Sequence, residues 1–202
     1  MNREEEMADS IYIRTDERIE ALKAFEMVVE SLKRASVDTY QWKWAIVAMQ
    51  NAIQALIVTT ISGTAGLGAL RPEIVKKWLQ AFESGTGNFP EMKIDWFPDL
   101  YERMKKEFNY SPDPSVDDSV DKVNKFRNMF VHFPHQSWSL EANGLPRIFK
   151  DCLKVVSILI GKMGDVAVCE VGLIQGLTNL HSEAVKLVGE INSMYNPHGG
   201  FF

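Results

Sequence analysis

WAIVAMQNAIQALIVTTI, residues 44–61, is the stretch on which the fold turns. It is the longest apolar run in the chain, and it reads either as a membrane span or as the central helix of a bundle. Gln50, Asn51 and Gln54 interrupt it in the middle. Hydrocarbon offers a carboxamide no partner, whereas a helix inside a bundle can pair it with neighbouring side chains. Its apolar residues also face nearly every side instead of one stripe. Both features make it a buried core helix, opened by Asp38 and running to Gly63, against which the rest of the chain must pack.

Towards the N-terminus, Ile19, Leu22, Phe25, Val29 and Leu32 recur at helical spacing. Thr15, Asp16 and Glu17 mark the start of that helix, with negative charge in its first turn. Residues 1–10 read as a flexible acidic tail. Beyond the core helix, Gly63, Gly66 and Gly68 break the chain, at a spacing that does not match a phosphate-binding loop. Pro72 suits the first turn of a shorter helix through about Phe82. Residues 84–90 form a loop, and a second short helix begins near Pro98. Ser115 is expected to cap the next long helix, which turns Val120, Val123, Phe126, Phe130 and Val131 inward. Another helix runs from Leu145 to about Lys162. The last has Leu177, Leu180, Ala184, Leu187, Val188, Ile191 and Met194 on one face, and its start lies at Val166 or later. No segment alternates as a strand does, and no repeat is present. The expected fold is all-α: an up-and-down bundle of four or five long helices in one domain, residues 11–202. Two short helices are inserted between its second and third long members.

The chain has 202 residues, 46% hydrophobic and 24% charged, with a formal net charge of -5. Such a balance disfavours generic binding to duplex DNA. Between Asp121 and Lys154, however, six basic residues stand against three acidic ones. Cys152 and Cys169 lie in apolar runs without metal-ligand spacing and read as buried thiols. The first ten residues hold no apolar signal region, which points to the cytoplasm.

The chemistry concentrates in FRNMFVHFPHQSW, residues 126–138. Pro134 has no backbone donor and forces Phe133 out of helical geometry, so the helix should end near His132. Asn128 and His132 then share a face. Arg127 lies about 140° around an ideal helix from His132, and its length together with a relaxed last turn would let the three converge. A helix-end reading stands beside this one. In it Arg127 pairs with an acid of the bundle, Asn128 bonds to Gln50, Asn51 or Gln54, and His132 favours the negative helix terminus.

RNMFVH, Arg127 to His132, resembles the Arg-x4–6-His motif of the HEPN superfamily, in the form with Asn directly after the Arg. The resemblance implies an all-α bundle, and it leaves the segment 63–115 as an insertion relative to a minimal HEPN domain. It also implies a metal-independent endoribonuclease, a toxin or defence component in some members, or a scaffold module that has lost catalysis. On that reading His132 is the general acid or base on an RNA 2′-hydroxyl. Arg127 stabilises phosphate charge, and Asn128 orients one of them. A homodimer would bring two motifs face to face, and an antitoxin would be a natural protein partner. Arg147 and Lys150, at the start of the next helix, are candidates to line an RNA path. Trp96 and Trp138 are candidates to stack on bases or to anchor loops. HFPH, residues 132–135, is a poor metal site, because Pro134 breaks the helix and only Glu141 lies nearby as a carboxylate. No cofactor is implied. Two other function classes remain open: a silent helical interaction module, and a nucleotide-binding accessory to a separate nucleotidyltransferase.

Overall fold

The computed structural model describes residues 11–85, 87–133, 135, 137–166 and 170–197. The expectations for the acidic tail, for Pro134 and for Cys169 fall outside them. The described residues form seven helices: α1 (Glu17–Ala35), α2 (Gln41–Ile61), α3 (Pro72–Ser84), α4 (Phe97–Glu107), α5 (Pro114–His132), α6 (Leu145–Met163) and α7 (Val171–Tyr195). There is no strand among them, only an isolated antiparallel bridge between Leu70 and Ile94. The chain is all-α, with five long helices and two shorter ones between the second and third.

The centre is α2. It packs against α1 along its length and also meets α4, α5 and α6, while α7 covers α1 and α6. Met49, Ile53, Leu56 and Ile57 are fully buried, each worth about 2 kcal/mol over exposure. By length and composition α2 is able to cross a membrane, yet 61% of its apolar window is buried inside the protein. Polar contacts fix the helices that surround it. The Trp42 indole donates to the Tyr195 hydroxyl at 3.1 Å, and that hydroxyl donates to the Ala35 carbonyl at 3.2 Å, joining α2, α7 and α1. Ser119 on α5 donates to the buried Asp151 on α6 at 3.0 Å. The Cys152 thiol beside it is fully buried, and desolvation pushes its pKa up.

Helix starts differ in detail from the sequence expectation. Asp16 caps α1, accepting from the amides of Arg18 and Ile19. Asp38 accepts from the Tyr40 amide at 2.9 Å, but Tyr40 is the residue at the cap of α2. Asp113, not Ser115, caps α5: its carboxylate accepts from the Ser115 amide, and Pro114 takes the first helical position, where a missing N–H costs nothing. The last helix begins at Val171, later than Val166.

The inserted segment is tied down at its base. The Arg71 amide donates to the Lys93 carbonyl at 3.1 Å and the Asp95 amide to the Ala69 carbonyl at 2.9 Å. Arg103 of α4 donates to the carbonyls of Gly68 and Leu70 at 2.6 and 3.0 Å, and pairs with the buried carboxylate of Asp95. Gly68 is required here, because a Cβ would lie 1.8 Å from the Ile61 carbonyl oxygen. On the other side α4 is joined to α5. The Tyr101 hydroxyl and Lys105 both donate to Asp117, at 2.9 and 3.1 Å.

Candidate active site

The motif lies at the C-terminal end of α5, which stays helical through His132 and then turns at Phe133, φ 46°. A left-handed conformation is unusual for a bulky residue and ends the helix abruptly. Arg127 reaches the same cavity as Asn128 and His132.

Arg127, Asn128 and His132 line a single cavity of about 630 Å³. Asn124 lines it too. It stands one turn before Asn128 and two before His132, so the three form a polar stripe along α5. The floor is α2, through Gln50 and Gln54. Gln50 is 2% exposed, and its amide nitrogen donates to Gln54 at 2.9 Å. The remaining wall comes from the insertion: Arg71 at the head of α3, and Ile94 to Pro98 leading into α4. The motif helix therefore packs on the core helix with two of its three carboxamides beside the motif. Asn51 is exposed on another side, near Trp44.

The electrostatics of the cavity are asymmetric. Arg127 donates to the Asn128 side-chain oxygen at 3.0 Å. No ion pair or further hydrogen bond joins Arg127 to the described residues, and its Nε is buried without an acceptor. Of the contacts offered by the helix-end reading, an acid for Arg127 and a core carboxamide for Asn128 are not present among the described residues, while His132 does stand in the last turn of α5. Arg71 also has no carboxylate partner there. Its Nε donates to the Ile94 carbonyl at 3.3 Å, and its guanidinium lies 4.5 Å from the centre of the Trp96 ring. The acid in the wall, Asp95, is already neutralised by Arg103. Two guanidinium groups and an imidazole thus face a space whose one lining carboxylate, Asp95, is paired with Arg103, an arrangement suited to an anion.

The local basic excess shrinks on folding. Lys122 pairs with Asp118, Lys125 with Asp121 and Lys154 with Asp151. Arg147 and Lys150 are exposed on α6, and neither lines the cavity. Trp138 packs on Phe130, ring centres 4.7 Å apart, in a separate groove of about 530 Å³. Sequence reasoning passed over Asn124 and Arg71. The helical spacing of Asn124, Asn128 and His132 signals the first, whereas nothing local signals the second. Compared with known proteins, the chain matches no family model, no curated protein and no solved structure.

Proposed function

We propose that the chain is a HEPN-like, metal-independent endoribonuclease acting as a homodimer in the cytoplasm, in the role of a toxin or defence component held in check by a protein antitoxin. The observation that carries this reading is the cavity at the end of α5. It gathers Arg127, Asn128 and His132, and among the described residues no acid neutralises the Arg127 guanidinium. An unneutralised guanidinium beside an accessible imidazole fits phosphate transfer better than helix capping.

In the proposed reaction, His132 takes the proton from an RNA 2′-hydroxyl. The freed oxygen attacks the adjacent phosphorus, the P–O5′ bond breaks, and a 2′,3′-cyclic phosphate forms. Arg127 offsets the charge that gathers on the phosphoryl oxygens. The departing 5′-oxygen needs a proton, which the His132 of a second copy supplies across the dimer axis. The test is incubation of purified protein with single-stranded RNA in excess chelator. Cleavage by the wild type and its loss in His132→Ala support the reading, and equal cleavage by both sinks it.

A second reading, a silent interaction module, is favoured by one observation. Beside the end of α5 lies the groove of Phe130 and Trp138, with Tyr40 and Phe133 exposed on its rim. On that reading the wild type cuts no RNA, and Arg127→Ala changes stability or partner binding instead.

A further inference from the structure

We propose that Arg71 and Trp96 form a nucleotide subsite that holds single-stranded RNA beside Arg127 and His132. The identity of the polymer rests on the ribonuclease reading, and the subsite itself rests on geometry. Both residues come from the segment inserted between α2 and α5, so this segment supplies substrate binding.

Trp96 is 64% exposed even with the Arg71 guanidinium over its ring. An indole held open at the edge of a polar cavity is a platform on which a base can stack. Arg71 commits only its Nε, to the Ile94 carbonyl, and its terminal nitrogens have no hydrogen-bond partner among the described residues. They remain available to a phosphate next to the stacked base. The interior of the cavity makes a third demand. Arg127 Nε is a buried donor without an acceptor, and Gln50 Oε1 is a buried acceptor without a donor. Gln50 is 2% exposed, and both side chains line the cavity. Buried polar groups left unpaired are rare, and a ligand that satisfies these two must offer an acceptor and a donor together. A ribonucleotide does so, with anionic phosphate oxygens and a 2′-hydroxyl that the DNA backbone lacks. The volume, about 630 Å³, lies within the range of roughly 300–1,000 Å³ usual for small-ligand sites.

The experiment is fluorescence anisotropy with a short labelled oligoribonucleotide in the His132→Ala background, where the RNA stays intact. The same sequence as DNA and inorganic phosphate serve as comparisons. Trp96→Ala and Arg71→Ala are each expected to weaken RNA binding about 5–100-fold, and Trp96→Phe to restore most of it. RNA should bind more tightly than DNA, and Gln50→Leu should narrow that difference. Circular dichroism checks that each variant keeps its helices. Absence of RNA binding, affinity unchanged in both alanine variants, or displacement of the RNA by equimolar inorganic phosphate overturns the subsite. RNA held through Trp96 by a wild-type protein that never cuts leaves the subsite standing and ends the ribonuclease reading. Wild-type cleavage rates in Trp96→Ala and Arg71→Ala do the reverse.

Discussion

Arg127 brings a permanent charge into a half-buried position, where its one hydrogen bond goes to a neutral amide. Desolvating a charge without a counter-ion opposes folding, so the residue is better explained by a ligand than by stability. Arg127→Ala should therefore keep or slightly raise the denaturation midpoint while lowering RNA cleavage roughly 10²–10³-fold. Arg127→Lys should recover little, because an ammonium cannot present the planar fork. His132→Ala removes the proton-transfer group and should cost roughly 10²–10⁴-fold. Cleavage rates set beside urea midpoints check all three. Cys152 gives a contrasting case. Burial pushes its thiol pKa up, and the thiolate is the reactive form. In a Cys169→Ser background, Cys152 should resist maleimide in the native protein and react only after denaturation, which mass spectrometry can follow.

Among the elements, the inserted segment is held by Arg103 as well as by buried apolar residues such as Leu100 and Met104. The arginine links two carbonyls of the loop after α2 to the buried Asp95. Arg103→Leu leaves that carboxylate only the Trp96 amide and should destabilise the protein by about 1–3 kcal/mol. Amide exchange should rise most at Gly68–Leu70 and Ile94–Asp95, ahead of the α2 core. The helices themselves were legible in the sequence, since apolar period and punctuation by Gly and Pro gave their order and most of their ends, while the count of long helices stood at four or five and the start of the last was left open. The Asp113 cap was misplaced by two residues because Pro114 occupies N1 as readily as it ends a loop. That Arg127, Asn128 and His132 line one cavity was legible because they share one helix. Arg71 and Trp96 were not legible together, since their meeting depends on the long-range bridge between Leu70 and Ile94, which no local pattern encodes.

At the scale of the whole molecule, His132 is the one imidazole lining the cavity among the described residues, and the proposed reaction needs both a base and an acid, so on that proposal assembly is part of the mechanism. The exposed Tyr40, Phe133 and Val131 lie around the end of α5, where apolar surface favours association. Sedimentation should find a homodimer at micromolar concentration, with an interface that includes the C-terminal half of α5 and the loop 133–144. A persistent monomer at high concentration would remove the composite site. The fate of the phosphate tests the central claim most directly. RNA should be cut by the wild-type protein in excess chelator and its new ends identified by mass spectrometry. The expected products are 2′,3′-cyclic phosphate paired with 5′-hydroxyl ends, absent from the His132→Ala reaction. Cleavage that requires magnesium, that leaves 5′-phosphate ends, or that persists undiminished in His132→Ala would contradict that claim.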